Sequence, residues 1–345
     1  MSTSRRPSSS SSSSIRKLLV IAGTLAVLAG LLLVPGALAK TKPAARAHAA
    51  SSYLTGIGDE QGEMFGNSQW AQLHTKIVRY IAPWDAAIRG DELGRARAWI
   101  KEAEAAHQQI LVAFYHSEHT PTVLPSVGTY QHDVEQFIKR FPHVRQYQSW
   151  DESNRGNVPH AFSSPSAAAA ARYYQAMLRV CHGCTAIGLD VLDAQNIIPT
   201  LAYISEFKRE IRRLHTVMPS IWGLHNYSDI NRMQSWRTRQ LVRALGGQVW
   251  LTETGGLVKF SGSGSFTNVH GAGLRRAAKV LKYMFAVAAE IPQVKRLYIY
   301  DWTGGTSSTR FDAGLTNSHN QPREGYAVVC RTLHASGCSV KLAHN

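Results

Sequence analysis

Two stretches of the sequence decide the fold prediction: Val144–Asn154 (VRQYQSWDESN) and Val249–Gly255 (VWLTETG). Each is a short β-rich run that ends in polar residues, with Glu152 in the first and Glu253 in the second. Strands of a parallel sheet have this form, because both faces of the sheet are buried and polar residues occur mainly after the strand ends. The two stretches therefore predict buried strands with acidic residues at their carboxyl ends.

Six further runs of this kind occur from Tyr53 onward, separated by segments of helical periodicity. The eight predicted strands are Tyr53–Gly58, Lys76–Ile81, Gln109–Phe114, Val144–Trp150, Thr185–Leu189, Ile221–Leu224, Val249–Thr252 and Arg296–Tyr300. Alternation of strands and helices indicates a parallel sheet with crossover helices. Eight units in about 290 residues match a closed barrel better than an open sheet. We predict an α/β fold, a single-domain (β/α)8 TIM barrel.

Local signals place several helices. In the last helix but one, apolar residues recur at steps of three and four, at Leu274, Ala278, Leu281, Phe285 and Ala288. Such a stripe packs against a sheet. Gly90 and Asp91 are expected to open the second helix, and Ser164 with Pro165 the cap and first turn of the fourth.

The N-terminus is typical of an export signal. Arg16 and Lys17 precede an apolar segment over residues 18–34, and the small residues Ala37 and Ala39 fit a cleavage site. We predict a signal peptide over residues 1–39, a linker over 40–52 and a catalytic domain over 53–345. The protein is then secreted and without stable membrane insertion, unless residues 18–34 remain as an anchor.

The predicted mature chain is basic. Its formal charge falls from +15 to +11 when the four cations of the signal are removed. Lys and Arg are spread over many helical segments, which favours a solvated surface and no nucleic-acid partner. The first strand ends in Gly56–Glu60 (GIGDE), which lacks the third glycine of a dinucleotide-binding loop and is acidic where a pyrophosphate would bind.

Four cysteines fall in two close pairs, Cys181 with Cys184 and Cys330 with Cys338. In an exported protein two local disulfides are the simplest interpretation. A crossed pairing stays open on the sequence alone. A zinc site is disfavoured, because the second pair is too widely spaced for a zinc ribbon.

In a barrel, catalytic groups lie at the carboxyl ends of the strands. The polar or aromatic residues at these places are Asp59, Glu60, Arg79, Trp84, His116, Asp151, Glu152, His225, Tyr227, Glu253, Asp301 and Trp302. Glycosidic bond cleavage needs one carboxyl to protonate the leaving oxygen and another to attack or to activate water. Glu152 and Glu253 suit these roles, because strands four and seven lie on opposite sides of a barrel mouth.

The other residues have supporting roles in this hypothesis. Trp84 and Trp302 offer flat surfaces for sugar rings, with core packing as the alternative. Arg79, His225 and Tyr227 would hold the nucleophile ionised through hydrogen bonds. A ligand contact by His116 and a structural role are about equally favoured.

At these positions the sequence resembles the retaining glycoside hydrolases of clan A, over the whole predicted mature domain. Trp150–Asn154 is similar to the clan's Trp-Asn-Glu-Pro-Asn segment, and Trp250–Gly255 to its nucleophile segment. Arg79, the segment 224–227 and the segment 300–302 resemble motifs of its second, sixth and eighth strands. The resemblance implies a (β/α)8 barrel that cleaves β-glycosidic bonds by double displacement, with Glu152 as acid/base and Glu253 as nucleophile.

Asp151 departs from the clan pattern, which has an asparagine that contacts the sugar 2-hydroxyl. An aspartate is expected to accept a hydrogen bond from a hydroxyl but not to donate one, and to raise the pKa of Glu152. Ser153 replaces the clan's proline. A catalytically weak or inactive carbohydrate-binding barrel of the cell envelope is therefore the alternative function. A basic envelope protein that contacts an acidic polymer is a third. The leading hypothesis expects an oligo- or polysaccharide substrate, no metal or organic cofactor, and a monomer.

Overall fold

The computed structural model describes residues 53–261, 272–334, 338, 340 and 342. The predicted signal and linker, residues 1–52, lie outside these ranges. The strands in the described part are β1 Leu54–Gly58, β2 Ile77–Pro83, β3 Gln109–Tyr115, β4 Gln146–Gln148, β5 Thr185–Ile187, β6 Asp190–Leu192, β7 Ile221–His225, β8 Gln248–Thr254, β9 Lys259–Phe260, β10 Val294–Tyr300 and β11 Phe311–Asp312.

Helices follow the barrel strands in the expected order. They are α1 Ser68–Gln72, α2 Gly90–Ala105, α3 Val127–Arg140, α4 Ala167–Val180, α5 Ile198–Arg213, α6 Tyr227–Ile230, α7 Trp236–Leu245, α8 Ala272–Glu290 and α9 Glu324–Leu333, with 3₁₀ turns at Gly62–Gly66 and Ala86–Ile88. The start of α2 at Gly90 is confirmed. The start of α4 at Ser164 is wrong by two residues, because Ser166 caps the helix by accepting from the Ala169 amide.

The parallel sheet has the order β5-β4-β3-β2-β1-β10-β8-β7-β6. β5 pairs with β4, and β6 pairs with β7, on either side of a two-residue break. At the break, the Gly188 amide donates to Ile221 O and the Gly223 amide to Leu189 O. The sheet therefore closes through an interrupted fifth strand. The predicted (β/α)8 barrel is confirmed, and the single fifth strand over Thr185–Leu189 is corrected to two short segments.

The main core lies between the barrel and its helices. In α8, Leu281, Phe285 and Ala288 are buried as predicted, whereas Leu274 and Ala278 are half-buried. On this helix the buried stripe is therefore strongest toward the carboxyl end.

Both predicted disulfides are present. Cys181 pairs with Cys184 at the end of α4, and Cys330 of α9 pairs with Cys338. Within the described ranges, no helix combines the length and apolar character that a membrane crossing requires.

Candidate active site

The barrel interior changes from apolar to polar along its axis. One layer is the apolar cluster Ile77, Leu111, Ile187, Trp250 and Tyr298. Side chains two residues apart on a strand point to the same face. Arg79 therefore points into the barrel as Ile77 does, and Thr252 as Trp250 does. A fully buried polar layer consists of Arg79, Gln148, Asp190, His225 and Thr252. Glu152 and Glu253 lie next to this layer, at the carboxyl ends of the strands.

Glu253, the predicted nucleophile, is only 6 % exposed. Arg79 Nη1 donates to its Oε1 over 2.7 Å, and the Tyr227 hydroxyl donates to its Oε2 over 3.3 Å. Arg79 also donates to Asp151, so one guanidinium bridges two carboxyl groups. Because donors hold both oxygens of Glu253, the carboxylate has a fixed orientation.

His225 lies between the two glutamates. Its Nδ1 is 3.1 Å from Glu152 Oε1 and 3.6 Å from Glu253 Oε2. These two oxygens are therefore at most about 6.7 Å apart. This upper limit lies above the roughly 5–5.5 Å between carboxyls of retaining glycosidases and just inside the ~6.5–9.5 Å range of inverting ones, so it does not distinguish the two mechanisms. The structure thus brings Glu152, Glu253, His225, Tyr227, Arg79 and Asp151 together, as predicted from the strand ends.

Asp190 is a member of this network that the sequence reasoning missed. Its Oδ2 accepts from Gln148 Nε2 over 2.8 Å and from the Glu152 amide over 3.3 Å, and its Oδ1 accepts from Thr252 Oγ1 over 2.5 Å. His225 Nε2 lies 2.8 Å from Asp190 Oδ2. Asp190 therefore contacts residues next to both glutamates as well as the histidine that lies between them.

A sequence signal for Asp190 exists, because it directly follows the predicted strand Thr185–Leu189. The rule that identified Glu152 and Glu253 applies equally to this position. Its neighbour on β7 is Gly223, where an added Cβ would lie 2.0 Å from Asp190 Oδ1. The missing side chain at Gly223 is thus what makes room for the aspartate.

Three cations face four carboxyl groups at this site. Arg79 and Arg155 are two of the cations. Burial opposes protonation of His225, but the charges of Asp190 and Glu253 raise its pKa well above the usual value, so the ring is the third cation. The carboxyl groups are those of Asp151, Glu152, Asp190 and Glu253. With His225 protonated, these carboxyl groups outnumber these cations by one.

The surroundings of Asp151 favour its protonated form. Burial raises its pKa to about 8, with Arg79 opposing the shift and Glu253 adding to it. A protonated carboxyl has an O–H to donate. Near neutral pH Asp151 can therefore donate a hydrogen bond, contrary to the expectation from its residue type.

The expected raised pKa of Glu152 is also wrong. Burial alone would raise it, but the hydrogen bond and charge of His225, followed by the charge of Arg155, lower it. Arg155 Nη1 donates to Glu152 Oε2 over 2.8 Å. Two cations therefore outweigh the neighbouring carboxyl and keep Glu152 ionised in this state of the protein.

His116 is half-buried at the rim of the site. Its ring stacks on Phe162 with centroids 5.4 Å apart, and lies 4.2 Å from the ring of Tyr115. The Arg155 guanidinium lies 4.7 Å from the Phe162 ring centroid. The structure thus places His116 beside the acid/base candidate, within a small aromatic surface.

The two tryptophans suggested for sugar stacking are packed into the core. Trp302 is 0 % exposed, lies edge-on to Tyr326, and donates its indole N–H to Asn320 Oδ1. Trp84 is 7 % exposed. Neither presents an open ring face in this structure, so the aromatic surface of the site is formed by other residues.

Among the described residues, two groups each contain three side chains that could bind a metal ion. Asp91, Glu92 and His119 lie near the start of α2, and Asp151, His225 and Glu253 lie in the site. In the second group Arg79 donates to both carboxyl groups, and the protonated histidine ring has no free lone pair. The arrangement therefore fits proton transfer and hydrogen bonding better than metal binding.

A scan against protein-family models finds no match, and a search of curated proteins finds no significant match. Solved structures do match. A GH10 enzyme from Paenibacillus barcinonensis is similar with a TM-score of 0.59 and 9 % identity, over 82 % of this chain and 95 % of that one. This chain therefore shares the barrel fold of that enzyme.

Two further enzymes share this fold. Xylanase 10B from Thermotoga maritima has a TM-score of 0.58 and 12 % identity, over 82 % of this chain and 95 % of that chain. A GH5_18 enzyme from Streptomyces cattleya, in complex with Manβ1-4GlcNAc, has a TM-score of 0.58 and 14 % identity, over 85 % and 83 %. The resemblance found in the sequence is therefore confirmed for the fold.

Proposed function

We propose that this protein is a secreted glycoside hydrolase that cleaves β-glycosidic bonds with net retention. The observation that carries the proposal is the pair Glu152 and Glu253, which come from opposite strands and meet on one histidine ring nitrogen. The fold that this chain shares with a xylanase and with an enzyme bound to Manβ1-4GlcNAc supports a glycan as substrate.

Glu253 has the surroundings that a nucleophile needs, whereas Glu152 has to gain a proton before it acts as the acid. Glu253, oriented by Arg79 and Tyr227, attacks the anomeric carbon while Glu152 gives a proton to the leaving oxygen, and the glycosidic C–O bond breaks. Glu152 then takes a proton from water, the water oxygen attacks the same carbon, and the bond to Glu253 breaks. The product keeps its anomeric configuration because inversion occurs twice.

A carbohydrate-binding barrel without turnover is the second candidate. The specific observation in its favour is the pairing of Glu152 with two cations, which keeps ionised a group that must be protonated to act as the acid. The two candidates differ in whether substitution of the glutamates changes turnover or only binding.

The test is hydrolysis of aryl β-glycosides, β-glucans, xylans and mannans by the protein and by its Glu152→Gln and Glu253→Gln variants. We expect turnover that Glu253→Gln abolishes for all substrates. Glu152→Gln should abolish it for natural glycans. A matched control is Glu135→Gln on α3, where the carboxylate pairs with Lys139 at the surface. Glycan binding without turnover, unchanged in the two site variants, would instead support the binding protein.

A further inference from the structure

Arg155 lies at the open side of the site and is directly paired with the acid/base candidate. It follows Glu152 by three residues, and its side chain is 45 % exposed although that of Glu152 is 9 % exposed. Glu152 Oε1 faces the buried ring of His225, and Oε2 faces Arg155. Oε2 is therefore the carboxyl oxygen on the solvent side of the site.

This pair is not compatible with the first step of hydrolysis. A guanidinium has five N–H donors and cannot accept a proton, so its contact with Oε2 favours the carboxylate. A general acid must carry its proton when the leaving oxygen departs. Arg155 therefore has to leave Glu152, or weaken its contact, before the glycosidic bond can break.

The surroundings of Arg155 hold its side chain without neutralising it. Besides Glu152, it donates to the Tyr115 hydroxyl over 3.4 Å and lies over the ring of Phe162. Phe162 is itself stacked on His116 with an interplanar angle of 3°. Phe162 and His116 thus form a small aromatic cluster beside Arg155, next to Glu152.

We propose that the leaving-group side of this site takes a sugar unit with a carboxylate, a uronic acid, which Arg155 binds. A carboxylate matches the planar donor pair of a guanidinium and can draw it away from Glu152. The sugar ring then lies against Phe162 and His116. Binding of the acidic unit and release of Glu152 for proton transfer are thereby coupled. This inference rests on the proposed hydrolase function.

The test compares C6-oxidised cello- and manno-oligosaccharides, which carry uronate units, with their neutral parents. For the unmodified protein we expect kcat/KM to be about 10- to 100-fold higher for the oxidised form, the effect of one charge-assisted hydrogen bond. Arg155→Gln should remove this preference, and Arg155→Lys should keep part of it. Arg172→Gln is the matched control, because Arg172 pairs with Glu210 away from the site.

Binding provides a second measurement on the Glu152→Gln variant, where turnover does not interfere. It should bind the oxidised oligosaccharides more tightly than the parents, and a second change at Arg155 should abolish the difference. Equal turnover and binding of both forms, or a preference that survives Arg155→Gln, would overturn the inference. Dinitrophenyl glycosides need no acid, so their Glu253-dependent hydrolysis reports the proposed function separately.

Discussion

Arg79 donates to both Asp151 and Glu253, and this shared cation governs what each carboxyl group can do. Burial raises the pKa of Asp151 to about 8, which favours its protonated form near neutral pH. A neutral carboxyl beside the acid/base can donate to a sugar hydroxyl much as an amide does. The aspartate is therefore compatible with catalysis in a position where clan A has asparagine.

The first prediction concerns the pH dependence of Asp151→Asn. If the protonated form is the active one, kcat/KM for dinitrophenyl glycosides should fall as the pH rises through about 8. The amide does not titrate, so the variant should lose this alkaline limb and keep activity near neutral pH. Glu60→Gln is the control, since burial raises the pKa of Glu60 to about 8 as well. If the alkaline limb persists in Asp151→Asn and disappears in Glu60→Gln, it reports Glu60, and the role given to Asp151 is wrong.

Position at a strand end predicted correctly which residues reach the site. It did not predict which side chains they contact there. Arg79, Tyr227 and Glu253 were found because position along a strand fixes them. The pairing of Arg155 with Glu152 was not predicted, because it depends on the path of the loop after the strand. Trp302 was placed correctly at a strand end, but its packing on Tyr326 depends on the following chain.

At the level of elements, the break in the fifth strand has a clear function in this architecture. It lets β6 begin at Asp190, whose carboxylate reaches across to Thr252 on β8 and His225 on β7. The periodicity of Thr185–Leu189 predicted a strand but contained no sign of the break, which arises from closure of the sheet. The start of α2 at Gly90 was predicted although its cap residue, Arg89, makes no side-chain capping hydrogen bond. The start of α4 was missed because Ser164 and Ser166 both precede the alanine run, and Ser166 is the cap.

The second prediction is that Gly223→Ala destabilises the protein. The added Cβ would lie 2.0 Å from Asp190 Oδ1, so the carboxylate must shift and its hydrogen bonds weaken. We expect a loss of about 1–3 kcal/mol in the free energy of unfolding, typical of overpacking, together with a fall in kcat. Chemical denaturation measures the first and initial rates the second.

Gly94→Ala is the matched control for this change. Gly94 is an exposed position within α2, with nothing within 4 Å of an added Cβ. Alanine there should leave activity unchanged and stabilise the helix by up to about 1 kcal/mol. Equal stability of the two variants would show that the space beside Asp190 is not needed.

For the whole molecule, the buried acids predict that stability falls as the pH rises. Burial raises the pKa of Asp59 to about 6, of Asp193 to about 7, and of Glu60 and Asp151 to about 8. In the unfolded chain such groups titrate near 4. The folded state thus binds more protons between these values, so raising the pH through this range favours unfolding.

His225 acts in the same direction, because its folded pKa is raised and its contribution is lost as the pH rises. Glu152 and Asp190 have lowered pKa values, so their contributions are lost only in acid. We therefore expect the melting temperature to be highest near pH 5 and to decrease toward pH 9. Thermal unfolding at constant ionic strength measures this, and a melting temperature that rises between pH 5.5 and 8.5 would contradict it.

The most direct test of the double-displacement account is to trap the glycosyl-enzyme with a 2-deoxy-2-fluoro aryl glycoside of the sugar that the protein hydrolyses, and to map the label by peptide mass spectrometry. The account predicts one sugar per protein molecule, attached to the peptide that contains Glu253, and no label in Glu253→Gln. Hydrolysis without any labelled intermediate, or a label on another carboxyl group, would contradict it.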